Sequence, residues 1–111
     1  MTIEPSIVHA QFDRAGRHLT VYLAGELDTS SAGAVGDEIL SHHQPDDERV
    51  WLDVSAVSFC DSSGLGMFFR LHQAVEEHGG RLVVYNPQVA VRRVIDLTDR
   101  SGVLQVQGRP G

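Results

Sequence analysis

The stretch Phe59-Cys60-Asp61-Ser62-Ser63-Gly64-Leu65-Gly66 (FCDSSGLG) sets an acid, two hydroxyls and two glycines at the exit of an apolar run. Just upstream, Val50–Val54 (VWLDV) reads as a short buried strand, and Ser55–Cys60 (SAVSFC) reads as the crossover that leaves it. Downstream, Leu65, Phe68, Leu71 and Val75 recur at helical spacing. They predict a helix from Ser62 to about His78, with Gly79 as its stop. A strand that hands over to a helix in this way is half of a parallel crossover unit, and that decides the class of fold.

The same alternation runs outward in both directions. Ile7–Phe12 and Leu19–Ala24 flank DRAGRH, a hairpin turn around Gly16. Asp28 is placed to cap a helix from about Thr29 to His42, whose apolar face is Ala32, Val35 and Ile39. Gly33 and Gly36 each weaken that helix by about 1 kcal/mol relative to alanine. Leu82–Tyr85 reads as a strand after Gly79-Gly80, and Val103–Val106 as a fifth. Asn86-Pro87 offers a cap and a first-turn proline for a third helix, with Val91, Val94 and Ile95 inward and Arg92 and Arg93 outward. The expectation is an α/β fold: a mixed, mostly parallel sheet of four to five strands with an N-terminal antiparallel hairpin, packed with three or more helices. Residues 1–111 form one domain, with about 1–5 and 108–111 flexible.

Composition narrows the partners. The formal charge is −6, from 15 acids against nine arginines and no lysine, which opposes both a phosphate backbone and an anionic membrane surface. No apolar run approaches ~20 residues, and MTIEPSIVHA lacks the regions of a signal peptide, so a cytoplasmic domain is expected. Cys60 is the only cysteine; it reads as a small buried apolar residue, without a resolving partner for redox work.

Several kinds of chemistry are open to Ser62 and Ser63. The plainest reading is a helix N-cap, for which Asp61 or Ser62 suffices. A serine hydrolase needs an oriented base, and although there are six histidines, the stretch is not a G-x-S-x-G elbow. A P-loop is absent, and neither the adjacent His42-His43 nor the lone cysteine has metal-ligand spacing, so no cofactor or metal is expected. Modification by another protein remains. A phosphate on Ser63 adds roughly −1.5 to −2 charges at a helix start, where backbone N–H groups tolerate it. Across an interface that also holds Asp61 and Asp28, the same charge is repelled. Gly64 and Gly66, poor helix formers, are read as leaving Ser63 accessible to a close-fitting protein surface.

These residues resemble the anti-sigma factor antagonists, stand-alone domains of the STAS type. VSFCDSSGLGMFFRLHQ (Val57–Gln73) is similar to the central motif of that family, and Gly25-Glu26-Leu27-Asp28 to the turn before its first helix. Gly79–Val84 and Val91–Leu97 resemble its later turn and third helix. After Thr98 the chain departs from many relatives, inserting Asp99-Arg100-Ser101 before Gly102, and it stops at Gly111 where many continue into a further helix.

The resemblance implies partner switching without catalysis by this chain. The unphosphorylated domain would bind an anti-sigma factor that is also a serine kinase, freeing a sigma factor. Phosphorylation of Ser63, with Ser62 as the alternative acceptor, would release it, and a serine phosphatase would reset it. The resemblance places Asp28, Thr29, Cys60, Asp61, Ser62, Gly64, Leu65 and Gly66 at the partner surface. The competing expectation is a STAS-type scaffold or ligand sensor with a different partner.

Overall fold

A computed structural model describes residues 7–108. The chain runs β1 (Val8–Ala15), β2 (His18–Leu27), α1 (Ala32–His42), β3 (Arg49–Cys60), α2 (Ser62–Glu77), β4 (Arg81–Tyr85), α3 (Val89–Thr98) and β5 (Gln105–Gln107). The strands form one sheet in the order β1-β2-β3-β4-β5; β1 and β2 are antiparallel and every other pair is parallel. This is the expected α/β architecture. The expected flexible ends, about 1–5 and 108–111, lie outside the described residues except for Gly108.

Alternation within the strands decides where the core sits. Leu19, Val21 and Leu23 of β2, Val50, Leu52 and Val54 of β3, and Leu82 and Val84 of β4 are buried on one face. They meet Val35 and Ile39 of α1, Phe68, Leu71 and Val75 of α2, and Val91 and Ile95 of α3 in one apolar cluster. All three helices therefore cover the same face. The other face carries His18, Thr20, Tyr22, Trp51, Asp53 and Tyr85, each exposed or half-buried. No described helix is long and apolar enough to cross a membrane.

The first hairpin is longer than expected: Asp13, Arg14, Ala15 and His18 of the stretch read as its turn are paired strand residues, and Gly25-Glu26-Leu27, likened to a turn, ends β2. Four other boundaries differ from expectation, each for a local reason. Ser55–Cys60 is not a crossover but the second half of β3, still paired with β2 through Ala24↔Ala56, Gly25↔Val57, Glu26↔Phe59 and Leu27↔Cys60. Two register shifts, between Tyr22 and Ala24 and between Gly25 and Glu26, change the inward phase, so Val54, Val57 and Cys60 are buried at intervals of three. Helix α1 begins at Ala32, not near Thr29, and Asp28 is not its N-cap. Its carboxylate instead accepts from Ser30 N (2.9 Å) and Ser30 Oγ (2.6 Å), which holds residues 28–31 in a turn. Asn86 and Pro87 do not open α3. Asn86 adopts φ 59° and donates its N–H to Gln107 O at 2.7 Å, tying β4 to β5, and the helix starts at Val89. Strand β5 is Gln105–Gln107, displaced from Val103–Val106 because Asp99 takes the N–H groups of Val103 (2.9 Å) and Leu104 (2.8 Å) into a turn.

Glycines fix how the helices seat. A Cβ on Gly36 would stand 3.0 Å from Met67 Cγ, so this glycine lets α1 and α2 approach closely. At Gly64 the constraint is sharper: a Cβ would meet Cys60 Sγ at 2.7 Å and Leu27 Cβ at 2.8 Å. The first turn of α2 thus rests on the paired ends of β2 and β3. Gly66 has nothing within 4 Å of such an atom.

The opposite end of the sheet is closed by charge. Both guanidinium NH2 groups of Arg14 engage the buried Asp47 carboxylate, which also accepts Gln44 N–H at 2.9 Å. Burial raises the affinity of Asp47 for a proton, but these bonds and the charges of Arg14 and His43 outweigh it, so its pKa lies below 3.8. His43 is shifted below its usual 6.5, first by burial and then by the nearby His78 and Arg14 charges, against the pull of Asp47. Its Nε2 is buried and has no hydrogen-bond partner among the described residues.

Two predictions follow from this packing. Gly64→Ala lowers the unfolding free energy by ~1–3 kcal/mol, because the added methyl meets a strand rather than a flexible side-chain end. Gly66→Ala leaves it unchanged or raises it by up to ~1 kcal/mol; equal urea midpoints for the two variants would contradict the seating. Since both His43 and Asp47 bind protons more weakly when folded, their contribution is complete above pH 6.5 and falls on acidification. The urea midpoint should therefore decline as pH drops through and below 6.5, then again below 3.8. In His43→Gln the first decline should be absent.

Candidate functional site

The C-terminal ends of β2 and β3 lie side by side, and each runs into a polar turn. Leu27 pairs with Cys60, and Asp61 N–H donates to Leu27 O at 3.1 Å. The turn at residues 28–31 and the start of α2 are therefore one continuous surface. Sequence separation hid this: 30 residues of chain, 32–61, lie between the turn and the first residue of α2.

Asp61 is the N-cap of α2. Its Oδ1 accepts the N–H groups of Ser63 (2.8 Å) and Gly64 (3.3 Å), while Leu65 N–H reaches Asp61 O at 3.0 Å. The acid thus satisfies the cap by itself. Neither serine hydroxyl is needed for it, and among the described residues neither Ser62 Oγ nor Ser63 Oγ makes a hydrogen bond with another residue. Ser62 is exposed and Ser63 half-buried.

The adjoining turn is held from below. Ser31, 5% exposed, donates its hydroxyl to Glu26 O at 2.7 Å and accepts Asp28 N–H at 3.1 Å. Asp28 is half-buried with its carboxylate on Ser30, and Thr29 and Ser30 are exposed.

The named residues therefore fall into two layers. Asp28, Thr29, Asp61, Ser62, Ser63 and Gly66 reach the surface to some degree; Cys60, Gly64 and Leu65 are buried beneath it. The first group forms the exposed layer, and the second sets its height and spacing. The glycines accordingly do different things: Gly64 serves packing inside the domain rather than access from outside, whereas Gly66 leaves the surface open. Burial, with the charge of Asp61 adding to it, pushes the Cys60 thiol up to about 11, so it stays protonated near neutral pH.

Two residues escaped the sequence reading. Ser31 is the buried pin of the first turn. Phe59 is 47% exposed, paired with Glu26 at the rim of the site. Its outward direction follows from the altered phase of β3, and a strict two-residue alternation would not have revealed it.

Electrostatically the site is acidic. Asp61 and Asp28 bring two carboxylates to this surface, one holding the start of α2 and the other the adjoining turn. The described residues hold no group of three His, Cys, Asp or Glu side chains placed to share a metal ion. What the arrangement presents is an untethered hydroxyl on a rigid helix start, two acids and an exposed aromatic ring.

Comparison with known proteins agrees with this geometry. A family profile described as the STAS domain matches residues 9–107. The anti-sigma F factor antagonist of Paenibacillus polymyxa is 31% identical over 83 residues, covering 72% of this chain and 69% of that one. The structure of an anti-sigma factor antagonist from Mycobacterium paratuberculosis is similar with a TM-score of 0.80 at 23% identity, over 95% of this chain and 87% of that one. The antagonist SpoIIAA, in its unphosphorylated and phosphorylated forms, gives TM-scores of 0.73 and 0.68, each at 22% identity over 90% of this chain and 89% and 92% of the other. At these identities the structures speak for the fold, while the family rests on the profile and the sequence relative. The chain belongs to the STAS-domain family, among the anti-sigma factor antagonists.

Proposed function

We propose that this domain is a phosphorylation-controlled antagonist: unphosphorylated, it binds an anti-sigma factor serine kinase and frees a sigma factor, and phosphorylation of Ser63 ends that binding. The observation that carries the reading is the division of labour at the start of α2, where Asp61 alone caps the helix and the Ser63 hydroxyl is left without an internal task. SpoIIAA, which shares the fold, is known in a phosphorylated form. ATP belongs to the kinase. Its γ-phosphoryl group passes to Ser63 Oγ, ADP leaves, and the hydroxyl proton goes to a base of the kinase. A serine phosphatase reverses the modification by hydrolysis. The domain contributes an acceptor and a surface, and catalyses nothing.

Electrostatics supplies the switch. The new group brings a charge of roughly −1.5 to −2. Inside the domain that charge stands at the positive end of a 16-residue helix, and no internal hydrogen bond of Ser63 Oγ is lost. Against a partner the same charge must be buried beside the carboxylates of Asp61 and Asp28, which have the same sign. Juxtaposed like charges cost several kcal/mol, or ~10²–10³-fold in affinity. Phe59 and Gly66 give the surface its uncharged part: an aromatic anchor and a flat approach.

With the cognate kinase and ATP, one phosphate is expected, on Ser63 and absent from Ser63→Ala. Ser63→Ala should keep wild-type affinity, while Ser63→Asp should bind at least about tenfold more weakly with an unchanged urea midpoint. Wild-type affinity in Ser63→Asp would remove the electrostatic explanation. Phe59→Ala, at an exposed ring, should leave stability within ~0.5 kcal/mol and weaken kinase binding by ~1–2 kcal/mol, measurable by calorimetry.

A further inference from the structure

Every helix packs on one face of the sheet, so the aromatic residues of the other face have no helix to pack against. Both tyrosines and the single tryptophan of the chain are there. The register brings them together. Tyr22, Asp53 and Tyr85 are direct neighbours across β2, β3 and β4, with Thr20 and Trp51 in the adjoining row. Trp51 and Tyr85 meet edge to face, their centroids 5.9 Å apart at 90°. Thr20, Tyr22, Trp51, Asp53 and Tyr85 line a hollow of about 300 Å³, at the lower end of the ~300–1,000 Å³ typical of small-molecule sites. A second hollow of about 260 Å³ adjoins it, sharing Tyr22 and Asp53.

The charge in this hollow is what selects an occupant. Asp53 is half-buried, accepts Ser55 N–H at 3.0 Å through Oδ1, and belongs to none of the ion pairs among the described residues. A carboxylate partly withdrawn from water, without a counter-ion and ringed by three π systems, favours a cation with weakly hydrated, apolar substituents. Trp51 already attracts a cation of the chain itself: Arg49 Cζ stands 5.6 Å from its ring centroid. His18 Nδ1 lies 3.4 Å from the indole nitrogen. Neither Arg49 nor His18 lines the hollow, so neither fills it.

We propose that the open face of the sheet carries a binding site for a small organic cation of the quaternary ammonium class, held over Asp53 between Tyr22, Trp51 and Tyr85. Ammonium methyl groups contact the rings, and the carboxylate supplies the counter-charge. The site lies on the sheet face, away from the Ser63 turn, and it does not depend on how Ser63 is used.

Because Trp51 is the sole tryptophan, its emission reports on the site without a label. Choline chloride, titrated at constant ionic strength into the unmodified protein, should give a saturable change in that emission. The neutral isostere of choline, with carbon in place of the charged nitrogen, should bind at least about tenfold more weakly. Amide shifts on choline binding should concentrate at Thr20–Tyr22, Trp51–Asp53 and Val83–Tyr85. Asp53→Asn and Tyr85→Leu should each lower choline affinity about tenfold. A linear, unsaturable response, equal affinity for the isostere, or shifts confined to the helices would overturn the proposal. These comparisons use the wild-type chain and stand even if a variant fails to fold. An Asp53→Asn variant that folds and binds choline as well as wild type would also overturn it.

Discussion

The contact on which the functional end depends is the seating of Gly64 on Leu27 and Cys60. Without a side chain at that point, the first turn of α2 comes down onto the last pair of residues of β2 and β3. Asp61 is then within reach of both Leu27 O, through its own N–H, and the N–H groups of Ser63 and Gly64, through its carboxylate. One small residue thereby aligns a sheet edge, a helix cap and the neighbouring turn. Ser63 is displayed by this alignment while taking no part in it. A switch residue benefits from that arrangement, since its modification changes the surface and leaves the supports intact.

The two ends of the sheet are built by different physics. At the Ser63 end, apolar contacts and hydrogen bonds to the backbone hold the surface in place. At the other end, Arg14 and Asp47 form a bidentate pair beside His43, and Phe12 stacks on His42 with ring centroids 3.6 Å apart. That end closes the hairpin onto the loop before β3 and ties its stability to protonation. The division keeps the pH-sensitive part of the structure apart from the Ser63 turn.

The fold was legible because its strongest signals are local. Leu19, Val21 and Leu23 alternate, Leu65, Phe68, Leu71 and Val75 keep helical spacing, and the turns at Gly16 and Gly79 separate elements cleanly. What failed to show in the sequence was the second half of β3. The irregular pairing near Ala24 and Glu26 changes which residues face inward, so Ser55–Cys60 loses the two-residue period and resembles a loop. The outward placement of Phe59 disappears with it. Asp28 and Asn86 misled for a related reason: both are ordinary cap residues, yet one closes a turn on Ser30 and the other adopts a left-handed conformation against Gln107. At the site, residue types pointed to Ser63, but only three dimensions could separate the surface residues Asp61, Ser62 and Gly66 from the buried Cys60, Gly64 and Leu65. The aromatic hollow was invisible, because Tyr22, Asp53 and Tyr85 become neighbours only through strand register.

The central claim is that a phosphate on Ser63 alters docking and leaves the domain intact. Its most direct test is the chain carrying authentic phosphoserine at position 63, measured by amide chemical shifts and by affinity for the cognate kinase in one preparation. The account predicts shift changes limited to the turn at residues 28–31 and the start of α2, with affinity lowered by ~10²–10³-fold. Unchanged affinity, or shift changes spread through the core strands, would contradict it.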